Sequence, residues 1–279
     1  MTNKTREQQR LPLQEGEPVL IVEDRGRKHL LHLKSGYQSH HGRTGQIAHD
    51  DLIGKPPGLN CNAENGHQFL CLRPTREEFI LHKLTRKTQI IYPRDASIIA
   101  TKGNLYCGAR VLESGIGSGA FSIVARSLLG PDGLLVSYER RSEFVDLATD
   151  NIRMYEKIHG DLPTPHEIEL RDIYEGIDHK DLDTIVLDLP EPNNVVQAAS
   201  QALRMNGILI AWLPTALQVF SFCRDLQDNP DWGRISTIET LVRSWRVGPK
   251  SIRPADRMVG HTGFLVSARR VAPTPVSRS

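Results

Sequence analysis

Residues 109–130 read ARVLESGIGSGAFSIVARSLLG, and this stretch decides the fold. ARVLES is a short apolar run of strand character. It stops at Ser114-Gly115-Ile116-Gly117-Ser118-Gly119, and FSIVARSLLG resumes with apolar residues at helical spacing, closed by Gly130. A strand that enters a glycine turn and leaves as a helix is the opening of a parallel α/β unit. Glycine serves where backbone must turn sharply and approach a ligand with no Cβ in the way, and the helix start adds free N–H groups. A nucleotide-like ligand is the natural guest.

Working outward, LLVSYE (134–139) is the second strand, and it ends on Glu139, twenty residues past Gly119. An acid there can accept both hydroxyls of a ribose. A pyrophosphate site wants G-x-G-x-x-G/A opening directly into the helix, and Gly115-x-Gly117-x-Gly119 lacks that spacing. The pattern from Glu113 onward, E-x-G-x-G-x-G, suits a ligand without phosphates, which points to S-adenosylmethionine. A nicotinamide dehydrogenase is disfavoured by the same spacing and by the lack of an evident Tyr/Lys or Cys/His pair.

The alternation continues on both sides. EEFILHKLT and DASIIATKG read as helices, SEFVDLATDNIRMYEKI as a helix starting at Ser142, and HEIEL, DTIVLDL and GILIAWLP as strands. VVQAASQAL and TALQVFSFCRDL are the helices between and after the last two. ISTIETLVRSWRV and GHTGFLVSARRV close the pattern as long antiparallel strands. From Pro18 to about Gly58 the character differs: short apolar runs broken by turn residues, with VLIVEDRGRKHLLHL as a hairpin about Asp24-Arg25-Gly26. The expected division is a loose tail over 1–16, a small β module over 17–75, an α/β domain over 76–271 and a second loose tail over 272–279.

Two further acids fall at strand ends, where such a sheet opens its crevice. Asp172 follows HEIEL, and Asp172-Ile173 could hold an adenine, the acid on its amine and Ile173 on its ring; a plain turn acid is the competing reading. Asp188 ends IVLDL and opens Leu189-Pro190-Glu191-Pro192, a stiff loop with few N–H donors that can hold a carboxylate beside a reaction centre.

Composition excludes other classes. With 39% hydrophobic and 24% charged residues, 22 Gly and 17 Pro among 279, the chain is neither collagen, nor a coiled coil, nor wholly disordered. No apolar run reaches the ~18 residues of a membrane span, and MTNKTREQQR is no signal peptide, so a cytoplasmic protein is expected. Cys61, Cys71, Cys107 and Cys223 lack zinc or redox spacing, so reduced thiols and no metal are expected. The net charge of +2 hides an uneven distribution: eight Lys/Arg against three acids over 73–110, seven against one over 243–270, and fifteen acids against six basic residues over 139–191. Two basic segments of this kind can hold a polyanion, because phosphate contact depends on local charge.

ESGIGSGAFS, SYE, VLDLPEP, ALQV, ETLVRSWRV and MVGHTGFLVSARR resemble the tRNA (adenine-N1) methyltransferases that act on the T-loop adenosine at position 58. HHGRTGQIAHDDLIGKPPG resembles that family's N-terminal module and LRPTREEFILHKLTRKTQIIYPRDAS its linking segment, so the likeness runs from about 17 to 271. GHTGFL together with TQIIYPRD is the most specific part. The resemblance implies a class I methyltransferase fold: a Rossmann-like, seven-stranded, mostly parallel sheet with its last strand antiparallel, preceded by a small N-terminal β-barrel. It implies a homotetramer of the bacterial and archaeal type, tRNA as partner, and S-adenosylmethionine as cofactor, converted to S-adenosylhomocysteine. By the family pattern the cofactor contacts fall on Ser114, Gly115, Ile116, Gly117, Ser118, Gly119, Glu139, Phe144, Asp172, Ile173 and Asp188, with Ile91 and Tyr92 closing the methionine end. The resemblance also implies that Asp188 holds the place of the family's catalytic acid. The sequence departs from that pattern at Asn193, where an aromatic is usual, and at Phe144, where a polar residue is common.

Tyr92 and His261 are candidates to line the substrate pocket, with a structural role for His261 as the competing reading. Arg94, Arg243, Arg246, Arg253 and Arg257 are candidates for tRNA phosphate contact. Two other functions compete: a methyltransferase of the same fold acting on a protein or small molecule, and a tRNA-binding subunit without catalysis. Retention of the glycines, Glu139 and Asp188 speaks against the second.

Overall fold

The computed structural model describes residues 10–23, 26–41, 45–248 and 251–273. The chain forms two compact units, one comprising residues up to Thr85 together with Asn151–Leu162, the other Arg86–Asp150 and Pro163 onward.

In the first unit, β1 (Pro18–Glu23), β2 (Lys28–His32), β5 (Leu59–Asn62) and β6 (Gln68–Leu72) form an antiparallel sheet in the order β2-β1-β6-β5, while β3 (Gln38–His41) and β4 (Gly45–Ala48) pair separately. Among the described residues this is an open four-stranded sheet and a two-stranded pair; no ring closure joins them. The β1–β2 pairing, with Val19 opposite Leu31, is the expected hairpin, although Asp24 and Arg25 lie outside the described residues. Val19, Ile21, Leu31, Ile47 and Phe69 build the core. Leu13 joins it: it is buried and its N–H donates to the Lys55 carbonyl at 2.8 Å. Packing therefore begins inside the stretch read as a loose tail, because an apolar side chain three residues before Gly16 reaches the module's core. Helix α1 (Arg76–His82) opens with a capping box between Thr75 and Glu78 and sets Phe79 edge-on against Tyr155, ring centres 5.3 Å apart.

The second unit starts with α2 (Pro93–Lys102), entered through Pro93 in its first turn. Then follow β7 (Arg110–Ser114), α3 (Ala120–Leu129), β8 (Leu134–Glu139), α4 (Ser142–His159), β9 (His166–Leu170) and β10 (Leu182–Leu187). After these come α5 (Val196–Ala202), β11 (Leu203–Leu213), α6 (Ala216–Asp228), β12 (Trp232–Glu239), a hairpin of β13 (Trp245–Val247) and β14 (Ile252–Pro254), and β15 (Phe264–Arg270). Seven strands form one sheet in the order β12-β15-β11-β10-β7-β8-β9; β15 alone runs antiparallel to its neighbours. All six residues of β10 are buried, as expected for a parallel strand covered on both faces. The final pair is shorter than expected: β12 stops at Glu239, and Trp245–Val247 turns away to pair with Ile252–Pro254. No helix among the described residues is long and apolar enough to cross a membrane.

The chain adds β8 and β9 on one side of β7, then returns to place β10 on the other. At that reversal the loops leaving β7 and β10 diverge, which opens a crevice at their carboxyl ends.

Candidate active site

The crevice is closed at its base by backbone. Asp188 N–H donates to the Ser114 carbonyl at 2.9 Å, and Gly115 N–H to the Tyr138 carbonyl at 3.1 Å. Gly115 has φ +88°, and a Cβ there would stand 2.4 Å from the Asp188 carbonyl oxygen. Only glycine lets the two loops approach so closely. Gly117 (φ +53°) is different: a Cβ would meet only Thr88 Oγ1, at 3.9 Å, so the space it leaves belongs to the cleft. Gly119, left-handed at φ +78°, turns the chain into α3.

Around this turn lie two adjoining cavities that share Gly115, Glu139, Arg141 and Asp188. One continues to Asp172, Ile173 and Tyr174. The other continues to Thr88, Gln89, Trp212, His261 and Thr262. Glu139 is 5% exposed and its carboxylate accepts the Arg141 N–H at 3.1 Å. Asp172 caps the short 3-10 turn Ile173–Glu175 by accepting from the Tyr174 N–H at 3.0 Å; it is both a turn acid and a wall of the cleft. Asp188 is partly open to the cleft, and burial followed by the Glu139 charge pushes its pKa up to about 7. It can therefore change charge near neutral pH.

The other expected residues divide. Ile116, Ser118 and Phe144 are buried, and the Arg141 guanidinium lies 3.9 Å over the Phe144 ring. Ile91 is buried and Tyr92 occupies the N-cap position of α2 without a side-chain capping bond, but it is Thr88 and Gln89 of the same segment that line the cavity. Arg94 is engaged internally, donating to Thr262 Oγ1 at 2.9 Å and to the Val259 carbonyl at 3.3 Å. Arg246 and Arg253 pair with Asp256 at 3.1 and 2.6 Å, while Arg243 and Arg257 are exposed. These four lie on the β13–β14 hairpin and its flanks and are not among the residues that line the two cavities. Asn193 donates to Ser221 Oγ at 2.9 Å and Asp225 at 2.6 Å, which draws it onto α6.

Two contributors escaped the sequence, and a third was legible only as the first residue of the E-x-G-x-G-x-G pattern. Trp212 sits near the end of β11 and is a wall of the second cavity; its place at a strand end was the available signal. Arg141 follows Glu139 by two residues and lines both cavities. Glu113 lies beneath the turn, 3% exposed, accepting from Ser122 Oγ at 2.7 Å and Ser137 Oγ at 2.8 Å; burial pushes its pKa up to about 8.

The arrangement can bind a nucleoside-like group, with a ribose acceptor at Glu139, an adenine-sized wall at Asp172 and Ile173, and a titratable carboxyl at Asp188. Comparison with known proteins agrees with that chemistry. Residues 68–261 match the family model described as "tRNA methyltransferase complex GCD14 subunit", and residues 12–59 match "TrmI-like N-terminal". The chain is 32% identical to the tRNA (adenine(57)-N(1)/adenine(58)-N(1))-methyltransferase TrmI of Methanocaldococcus jannaschii over 93% of its own length and 96% of the relative. The crystal structure of the tRNA (m1A58) methyltransferase TrmI from Aquifex aeolicus superposes with a TM-score of 0.83 at 31% identity, covering 94% of this chain and 99% of that one. The crystal structure of a SAM-dependent O-methyltransferase from Thermotoga maritima gives a TM-score of 0.86 at 33% identity, covering 93% of this chain and 95% of that one.

Proposed function

The chain belongs to this family of tRNA methyltransferases, and from that premise we propose that it methylates N1 of the T-loop adenosine at position 58 of tRNA, using S-adenosylmethionine. The observation that carries the reading is the convergence of the glycine turn, Glu139 and Asp188 at the sheet's point of reversal.

The residues present fit the cofactor: the Gly117 side of the turn is open, Glu139 offers an acceptor for ribose hydroxyls, and Asp172 with Ile173 offers an adenine wall. When bound, S-adenosylmethionine supplies an electrophilic methyl group on a sulfonium centre. The protein's remaining task is to place an adenine N1 lone pair in line and exclude water. N1 is blocked by pairing in folded tRNA, so the base must leave its stack, at a cost of a few kcal/mol offset by protein contacts. Ionised Asp188, accepting a hydrogen bond from the exocyclic amine, raises electron density at N1 and stabilises the cationic 1-methyladenosine. No proton leaves before attack.

Assembly as a homotetramer in the cytoplasm belongs to the same reading. It is supported by the apolar side chains that the β13–β14 hairpin and its flanks expose, among them Trp245 (59%), Val247 (78%) and Ile252 (66%). The basic segments support tRNA as partner. The test is incubation of purified protein with unmodified tRNA and labelled S-adenosylmethionine, followed by nucleoside mapping at positions 57 and 58. 1-Methyladenosine at 58 is expected. Label on an oxygen, on protein, or on a small molecule without RNA overturns the reading.

A further inference from the structure

His261 stands between two acceptors. Its Nδ1 is 2.5 Å from a carboxylate oxygen of Glu239, the last residue of β12, and its Nε2 is 2.9 Å from the carbonyl of Pro214, just past β11. A carbonyl and an ionised carboxylate can only accept, so a ring that satisfies both carries a proton on each nitrogen. The next residue, Thr262, accepts from Arg94 and donates to Asp95 at 2.8 Å. The one after, Gly263, has no room for a side chain: a Cβ would stand 2.4 Å from the Trp212 indole. His261, Thr262, Trp212 and Pro214 all line the cavity that also holds Asp188.

We propose that His261 is a positioning residue for methyl transfer: doubly protonated, it ties the ends of β11 and β12 together and so fixes the wall carried by Trp212, Pro214 and Thr262, with no N–H left for substrate. The activity part of this proposal rests on the methyltransferase reading. A neutral ring has one lone pair, which would face either Glu239 or Pro214 and open one side of the tie.

The groups around the ring agree. Glu239 faces it from β12, the buried carboxyl of Asp95 acts on it from α2, and Phe264 packs 4.7 Å from it on β15. The Pro214 carbonyl and then Glu239 hold its pKa above the ordinary histidine value. A raised value means that the tie is complete below the ordinary pKa, near 6.5, and is lost as pH rises through the folded-state value. Asp188 must be ionised to act, so activity is expected to rise with pH through Asp188 and fall with pH through His261.

Two measurements decide this. The first is 15N NMR of histidine-labelled wild-type protein, with the His261 ring assigned by its loss in His261→Asn. Both ring nitrogens still protonated at pH 6.5, where an ordinary histidine is half titrated, supports the tie; a ring that loses its proton below that pH overturns it, whatever the enzyme does. The second is the pH profile of kcat and KM for tRNA in wild type, His261→Asn and His261→Arg. His261→Asn is expected to lower kcat about tenfold or more, as misplacement does, with cofactor affinity unchanged. His261→Arg, a donor at every pH, is expected to restore activity on the alkaline side. His261→Asn with the wild-type profile, or with a raised KM for tRNA at unchanged kcat, overturns the positioning role. Wild-type protein that transfers no methyl group to tRNA at any pH refutes the methyltransferase reading instead, and the NMR result still decides the tie.

Discussion

Thr262 Oγ1 donates to the Asp95 carboxylate at 2.8 Å and accepts an N–H of Arg94 at 2.9 Å, so one hydroxyl joins segments 167 residues apart. Asp95 is fully buried, and Thr262 nearly so. Replacing Thr262 with Val keeps the shape and removes the donor. The expected cost is about 1–3 kcal/mol, the penalty for leaving a buried acceptor unsatisfied, with Thr262→Ser near wild type. Urea unfolding of the three proteins checks this.

Asp188→Asn should abolish most methyl transfer while cofactor binding persists, a loss of about 10²–10³-fold in kcat if the carboxylate acts as the electrostatic partner of the adenine amine. Its raised pKa, about 7, also has a stability sign. A carboxyl that holds its proton better when folded contributes stability at low pH, and that contribution is lost as pH rises through about 7. At pH 8 the Asn variant should therefore be the more stable protein, by about 1–3 kcal/mol. Equal thermal midpoints at pH 8 would contradict the shift.

The glycine turn separates two kinds of strain. Gly115→Ala puts a Cβ against the Asp188 carbonyl at 2.4 Å and should lower both stability and cofactor affinity. Gly117→Ala meets open space and bears only the left-handed backbone, about 1–2 kcal/mol. Its larger effect should be on cofactor affinity, since the new methyl group enters the cleft. Calorimetric binding beside thermal melts distinguishes the two.

Glu113 accepts from Ser122 on α3 and Ser137 on β8. Glu113→Gln preserves the shape and an acceptor and should fold normally. Glu113→Ala leaves both hydroxyls facing a cavity and should cost about 2–5 kcal/mol. A melt of Glu113→Ala indistinguishable from wild type would show the network to be idle.

If the basic segments hold tRNA, binding must release counterions. The logarithm of tRNA affinity should fall linearly with the logarithm of salt concentration, and removing exposed Arg243 or Arg257 should each reduce the slope by about 1. Filter binding across a salt series measures it, and a flat response would exclude a phosphate-dominated contact.

Much of the second unit was legible because its rules are local. The alternation of strands and helices and the glycine turn with Glu139 twenty residues later depend only on spacing. What was hidden depends on partners far away in the chain. Arg94 read as a candidate for tRNA phosphate contact, and its guanidinium donates to Thr262 and Val259. His261 read as either a pocket-lining or a structural residue, and the choice lies in Glu239 and Pro214. The expected long final strand ends at Glu239, and Trp245–Val247 pairs instead with Ile252–Pro254, a partner its own spacing did not announce. Leu13 looked like part of a polar tail, yet the module's small core draws it in.

The strand order sets a timetable for synthesis. The glycine turn, Glu139, Asp172 and Asp188 are all present once residue 188 has left the ribosome. β11, by contrast, stays unpaired on one side until β15 (264–270) arrives, and the wall of Trp212, His261 and Thr262 waits with it. At ~5–20 residues per second, several seconds separate synthesis of the glycine-turn side of the cleft from synthesis of the opposite wall.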